Sequence, residues 1–335
     1  MKIIVTGSAG FIGAAVAAKL LERGDEIVGI DNHNDYYDPL LKEARTARLL
    51  DQPNYTHIRG DIADSVFLEN IFKDNQPKYV VNLAAQAGVR YSQENPSAVI
   101  KSNVVGFGNV LECSRKYKIE HLVYASTSSV YGLNGTLPFS THQNTNHPIS
   151  LYAATKKSNE LMAHTYSHLY QIPMTGLRFF TVYGPWGRPD MALFQFTKSI
   201  IAGLPIDVYN HGHHIRDFTY IDDIVTGVLL TLDRPPTPNV GWNTAVMDAA
   251  TSSAPWRLYN IGNDKPVKLL TYIETLEKCL KIDAIKIFKP LQSGDIKDTH
   301  ADISDLINHF NYKANTQIDE GVASFVTWYK EFYKV

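Results

Sequence analysis

The sequence predicts a doubly wound α/β fold, a parallel sheet with helices on both faces, and three observations carry that prediction. The apolar run Lys2 to Thr6 is followed at once by Gly7, Gly10 and Gly13 and then by a small-residue helical pattern, Ala14 to Arg23. Further strand-like runs follow at Glu26–Asp31, Tyr55–Gly60, Tyr79–Leu83 and His121–Ala125, and each alternates with a segment of helical period. Small or polar residues close these runs, where open α/β sheets bind ligands. A sixth strand is expected from Met174 to Phe180, after which the alternation loses its regularity. A boundary is therefore expected near residue 180. Residues 1–180 form the first domain, and residues 181–335 a smaller α/β domain with a loop insertion at 234–255.

Composition narrows the classes. The 335 residues carry a net charge of −2, so a general nucleic-acid binder is not expected and any phosphate recognition must be local. Cys113 and Cys279 have no metal-type spacing and each sits in an apolar helical pattern, so both read as small buried hydrophobes. Met1-Lys2 runs straight into the strand-like Ile3-Ile4-Val5, and no apolar run has membrane length. A cytoplasmic chain without membrane association is expected.

The glycines after the first strand have definite uses: a tight turn, close approach of backbone to a phosphate, and packing of helix on strand. The helix beyond them offers free N–H groups to a pyrophosphate. Asp31 ends the second strand eighteen residues past Gly13, where a carboxylate can accept from both ribose hydroxyls and would repel a 2′-phosphate. NAD is favoured over NADP. Asp61-Ile62 follows the third strand and can reach an adenine edge; a turn aspartate is the competing reading. The fourth strand runs into Ala84 and Ala85, small enough for a close-passing cofactor, and Arg90 suits a phosphate, a carboxylate or solvent. Asn103 is a polar residue on a rather apolar stretch of a long helix expected from Pro96 to Lys118. The fifth strand opens into the hydroxyls Ser126, Thr127, Ser128 and Ser129.

Tyr152-Ala-Ala-Thr-Lys156 carries the chemistry. Positions four apart share one helix face, about 6 Å along the axis, so phenol and ammonium can meet one ligand. Bringing a phenol from pKa ~10 to neutrality takes about 4 kcal/mol, and a cation ~4 Å away supplies that order of energy. The pair suits a proton shuttle for an alcohol or sugar hydroxyl. In the second half Arg216 suits a diphosphate and Asp295 a ribose. His211, His213 and His214 lack an acid or cysteine to complete a ligand set, so no metal is expected.

Together these stretches resemble the extended short-chain dehydrogenase/reductase superfamily, and within it the nucleotide-sugar epimerases. The carriers are Thr6-Gly7-xx-Gly10-xx-Gly13, Asp31, Asp61-Ile62, Ser126-Thr127 before Val130-Tyr131-Gly132, and Tyr152-xxx-Lys156. Asn34–Asp38, Ala85–Ser92 and Tyr183–Ala192 resemble the UDP-glucuronate 4-epimerases more closely. That resemblance implies tightly held NAD, lined by Gly7, Gly10, Phe11, Ile12, Gly13, Asp31, Asn32, Asp61, Ile62, Leu83, Ala84, Ala85, Asn103, Ser126, Tyr152 and Lys156. It implies that Tyr152 takes the O4 proton of the sugar while hydride leaves C4, and that the 4-keto sugar then turns over and is reduced on its other face. Lys156 would hold the nicotinamide ribose and lower the tyrosine pKa. Thr127 would bond O4. Arg90, Ser128, Thr181, Arg188, Arg216 and Asp295 would face the UDP-sugar, with Arg188 gripping its carboxylate; an exposed loop arginine or dimer contact is the alternative. A homodimer through paired helices is also implied.

Neighbouring families differ at one loop. The 4,6-dehydratases carry Asp-Glu directly after the threonine, and the UDP-glucuronate decarboxylases resemble Ser-Thr-Ser-Glu before Val-Tyr-Gly. Here Ser128 and Ser129 stand instead, with no acid. UDP-glucose/UDP-galactose 4-epimerases match the nucleotide half equally but lack Gly187-Arg188-Pro189. They remain the runner-up, ahead of the decarboxylase and of a non-catalytic NAD-binding scaffold.

Overall fold

A computed structural model describes residues 1–335 apart from Val246 and Ser293. Its first lobe is built on β1 (Lys2–Thr6), β2 (Glu26–Asp31), β3 (Tyr55–Arg59), β4 (Tyr79–Asn82), β5 (His121–Thr127) and β6 (Met174–Phe179). The second lobe contributes β7 (Thr181–Tyr183), β8 (Ile206–Val208), β9 (Ile215–Arg216) and β10 (Phe218–Tyr220). Next come β11 (Trp256–Ile261), β12 (Val267–Lys268) and β13 (Lys286–Phe288). The main sheet runs β11-β6-β5-β4-β1-β2-β3, parallel throughout.

Strand order reverses at β1 and β4, so the connections leaving their carboxyl ends run to opposite faces of the sheet and open a crevice there. Two hydrogen bonds pin its floor: Thr6 Oγ1 donates to Asn82 Oδ1 at 2.7 Å and accepts from the Ala84 N–H at 3.2 Å. Both sheet faces are covered, which is why the strands read as continuous apolar runs rather than alternating ones. Ile3 and Val5 of β1 pack into one core and Ile4 into the other, all three fully buried. Each such side chain contributes roughly 1.5–3 kcal/mol.

The seventh strand was not expected in this sheet. Trp256–Ile261 pairs with β6 from Trp256 opposite Met174 to Ile261 opposite Phe179, so the chain returns to the first lobe after the predicted boundary at 180. The insertion at 234–255 leads into it. The sequence marks this stretch as a surface or mobile loop, yet Ala250 and Ala254 are fully buried. Asn239 N donates to Ser252 O at 3.0 Å, and His164 Nε2 meets Ser252 Oγ at 2.9 Å. The alternation of small and apolar residues here is too short to announce its burial.

The helix expected from Pro96 to Lys118 is interrupted. Lys101–Gly106 takes a π-helical turn between the α-helices Pro96–Ile100 and Phe107–Lys116. Gly106 is needed there, because a Cβ would lie 2.8 Å from Ile62 Cγ1. In the second lobe β10 pairs with β7, β13 with β8 and β12 with β9. The C-terminal helix Ile318–Tyr333 covers it with an aromatic face: Trp328 and Phe332 meet Trp186, and Phe194 meets Tyr329. No helix among the described residues is long and apolar enough to cross a membrane.

Candidate active site

A cleft of about 960 Å³ runs from the Gly-rich turn to the second lobe. At its first-lobe end Gly7 adopts φ +72°, and a Cβ there would stand 2.7 Å from the Ala84 N–H nitrogen; at Gly13 it would stand 2.0 Å from Gly7 O. The helix Phe11–Glu22 has no side-chain cap, so its first-turn N–H groups are left for an anion. Asp31 accepts from Ala9 N at 3.0 Å and from His33 N at 2.8 Å, one bond to each oxygen, and faces the cleft. The nearby Lys42 ammonium spends two of its three N–H bonds on Asn34 O and Asn34 Oδ1, both at 2.6 Å. These features fit NAD. Phe11, Ile12, Asn32, Asp61, Ile62, Leu83, Ala84 and Ala85 line the same wall.

Two expected cofactor residues are used elsewhere. Asn103 does not line the cleft; its amide bonds Gln86 N, Gln86 O and Thr155 Oγ1 at 2.8–3.1 Å. It tethers the loop after β4 to the helix carrying Tyr152. Ser126 lines the cleft, but its hydroxyl donates to Glu160 Oε1 at 2.7 Å.

Thr127, Tyr152 and Lys156 do converge in the cleft. Their helix, Leu151–Tyr170, starts at Ser150, whose hydroxyl accepts from Ala153 N at 3.2 Å, and stops at Gln171 with φ 55°. Lys156 Nζ donates to Ala125 O at 2.9 Å. Burial pulls its pKa down to about 8, with the Glu160 carboxylate pulling the other way. For Tyr152, burial raises the pKa, while the Arg188 guanidinium and the Thr127 hydroxyl lower it. The Asp190 carboxylate also raises it, and the balance leaves the phenol above its ordinary value. Thr127 itself accepts from Ser129 N and donates to Ser129 Oγ, both at 3.2 Å.

Ser128, Thr181, Arg188, Arg216, Arg90 and Asp295 also line the cleft. Arg188 is already forked onto Asp190: Nε donates to Oδ1 at 3.0 Å and Nη2 to Oδ2. Burial works against the guanidinium charge, but Asp190 outweighs it and raises the arginine pKa. Arg216 spends Nη1 and Nη2 on the carbonyls of Ile215, Lys297 and Ile296 at 2.5–3.2 Å, leaving Nε uncommitted among these bonds. Arg90 is half exposed, stacks over Tyr209 and lies 4.0 Å from Asp295. The turn holding Asp295 includes Ser293, outside the described residues. Among the described residues no three metal-ligating side chains cluster.

Sequence motifs did not reveal the supports of this site. Arg45, fully buried, donates to Ala9 O, Trp186 O, Gly187 O and Tyr37 Oη at 2.7–3.2 Å, joining the Gly-rich turn to the loop before Arg188. Glu160 takes a bidentate bond from Arg178 at 2.8 and 2.9 Å beneath β5. Tyr36 donates to Asp190 Oδ2 at 3.0 Å. A signal for Glu160 existed: it lies four residues past Lys156 on the same helix face.

Residues 3–246 match the family described as NAD dependent epimerase/dehydratase. The chain is 54% identical to protein CapI of Staphylococcus aureus, across 100% of both chains. It is 48% identical to UDP-glucuronate 4-epimerase 4 of Arabidopsis thaliana, across 99% of this chain and 76% of that one. A crystal structure of UDP-glucuronic acid 4-epimerase from Bacillus cereus, in complex with UDP-glucuronic acid and NAD, superposes with a TM-score of 0.86 at 31% identity. It covers 99% of this chain and 100% of its own. The Gly-rich turn, Asp31 and the Thr127–Tyr152–Lys156 constellation thus stand in a chain that belongs to the NAD-dependent epimerase/dehydratase family.

Proposed function

We propose that this enzyme interconverts UDP-glucuronate and UDP-galacturonate by inverting C4 of the sugar, with NAD as resident cofactor. The observation that carries the reading is the placement of Arg188 in the same cleft as Thr127, Tyr152 and Lys156, with serines and no acid at 128 and 129. Likeness to UDP-glucuronate 4-epimerases over almost the full chain supports it.

The residues divide the work by chemistry. Tyr152 takes the proton of the sugar 4-hydroxyl and returns it after the 4-keto ring has turned over. Thr127 orients that oxygen, and Lys156, which spends one N–H on Ala125 O, would have two left for the ribose of the cofactor. When bound, NAD accepts hydride from C4 and gives it back. The Gly7–Gly13 turn, the Phe11–Glu22 helix N-terminus and Asp31 hold it, with Asn32, Asp61, Ile62, Leu83, Ala84 and Ala85 along the wall.

Oxidation at C4 makes a β-keto acid, which loses CO₂ when the C5–carboxylate bond stands perpendicular to the carbonyl plane. Arg188, with the hydroxyls of Thr127, Ser128 and Thr181, grips the carboxylate away from that alignment. Arg90, Arg216 and Asp295 attend the UDP end. In this reading the cofactor belongs mainly to residues 1–180 and the nucleotide sugar to 181–335.

We also infer a cytoplasmic homodimer. Support comes from apolar side chains left exposed on neighbouring helices: Ile100 and Val105 on one, Leu161, Leu169 and Tyr170 on the other. The catalytic reading is tested by chromatography of products from UDP-glucuronate and from UDP-glucose, with CO₂ measured. UDP-galacturonate without CO₂ is expected. UDP-galactose formed faster than UDP-galacturonate, or a pentose as main product, overturns it.

A further inference from the structure

Three stretches far apart in sequence meet beside Arg188: the segment after β2, the loop after β4 and the loop after β7. Tyr36 stands over Gly88, whose φ is +112° and where a Cβ would come within 2.6 Å of the tyrosine hydroxyl. Its ring meets that of Tyr91 at a tilt of 60°, with centroids 4.6 Å apart. So placed, the Tyr36 hydroxyl donates to Asp190 Oδ2 at 3.0 Å, and Asp190 in turn holds Arg188 through Nε and Nη2. Tyr36, Arg188 and Asp190 line the cleft together with Tyr152.

A guanidinium presents two bidentate edges to carboxylates. Asp190 occupies the Nε/Nη2 edge, so a ligand carboxylate can meet only Nη1 and the outer flank of Nη2. The Arg188–Asp190 contact is not needed to tie down the loop, because Arg45 already holds the carbonyls of Trp186 and Gly187. Putting a second carboxylate beside a group meant to receive one weakens attraction in general. What it adds is direction, since a fork held by one edge cannot swing to follow the sugar as the ring turns over.

We propose that Asp190, braced by Tyr36, is a positioning residue that sets which edge of Arg188 meets the sugar carboxylate, and thereby the preference for an acidic over a neutral nucleotide sugar. The proposal rests on the reading of Arg188 as the carboxylate grip. It differs from a simple counter-ion role, in which removing Asp190 would leave Arg188 more attractive to a uronate.

The test compares wild type, Asp190→Asn, Tyr36→Phe and Arg188→Ala, each checked for bound NAD by mass spectrometry. KM and kcat are measured for UDP-glucuronate, the inhibition constant for UDP-glucose as competitor, and pentose product by chromatography. Asp190→Asn should raise KM for UDP-glucuronate about tenfold, because one charge-assisted contact no longer fixes the fork. Inhibition by UDP-glucose should change far less, and pentose should rise. Tyr36→Phe should shift KM the same way by a smaller factor, and it decides the matter if Asp190→Asn loses NAD. A KM for UDP-glucuronate that falls or stays level in Asp190→Asn, or in Tyr36→Phe where that variant decides, overturns the role of Asp190. If Arg188→Ala loses the preference in that case, the grip reading stands alone. If wild type does not turn over UDP-glucuronate, or Arg188→Ala keeps the preference, both readings fall.

Discussion

Lys156 donates to the carbonyl oxygen of Ala125 at 2.9 Å, tying the catalytic helix to β5 two residues before Thr127. The bond fixes the tyrosine-bearing helix and the threonine-bearing strand in one register. It also commits the ammonium to a buried position, where its pKa falls to about 8.

A buried ammonium gives up its proton more readily than one in water, so the cation is complete well below pH 8 and lost well above it. kcat/KM should therefore show an alkaline limb near 8. Lys156→Met should abolish that limb and lower the rate by about tenfold or more. A wild-type profile that stays flat to pH 10 contradicts this assignment.

Tyr152→Phe removes one hydroxyl without changing the shape of the helix. Turnover should drop about 10²–10⁴-fold while bound NAD stays stoichiometric in the purified protein. Near-normal activity would mean that another group moves the O4 proton.

Arg45→Met tests the bridge between the two halves of the cleft. Two buried carbonyls, those of Ala9 and Gly187, and the partly buried one of Trp186 would lose a donor. The expected cost is about 3 kcal/mol, since each orphaned polar group costs ~1–3 and removing a buried charge gives some back. Calorimetry should show Tm lower by several degrees, and NAD should leave more readily on dilution. Unchanged Tm and NAD content would show that the loop is held by its other contacts.

The sequence makes legible what is contiguous and has its strand or helix context beside it. The glycines after β1, Asp31 at the end of β2, Thr127 at the end of β5 and the Tyr152/Lys156 pair all lie within a few residues of the backbone feature that aims them. The missed groups act across long separations: Arg45 reaches Trp186, and Tyr36 reaches Asp190, 141 and 154 residues away. No local pattern encodes such a bond. The same holds for β11, which reads as one more strand of the second lobe until pairing with β6 places it in the first. Helical spacing gives Tyr152 and Lys156 a shared face, but not the direction of a long flexible side chain, and the bond from Lys156 to Ala125 O is not written in it. A polar residue on a rather apolar stretch has two destinations, a ligand or the backbone of a neighbouring loop, and Asn103 bonds the Gln86 backbone.

His142 links the insertion to the second lobe, with Nδ1 2.7 Å from Asp248 and Nε2 3.0 Å from Asp305. The Asp305 hydrogen bond, with further help from Asp248, raises its pKa to about 9 against the opposing effect of burial. A raised histidine pKa stabilises the fold fully below the unfolded value near 6.5, and the contribution is lost as pH rises through about 9. His142→Gln should lower Tm at pH 6 by about 1–2 °C, a small effect because the side chain is half exposed and solvent screens it. The two proteins should converge above pH 9.5. A constant offset across that range would remove the titration from the account.

The central claim is that C4 is inverted by taking hydride away and returning it to the same carbon. UDP-glucuronate carrying deuterium at C4 tests this directly, with the product analysed by mass spectrometry and proton NMR after reaction in ordinary water. Hydride removal and return within one closed cleft predicts UDP-galacturonate with deuterium fully retained at C4 and no solvent hydrogen there. Washout of the label, with solvent hydrogen in its place at C4, would contradict the account.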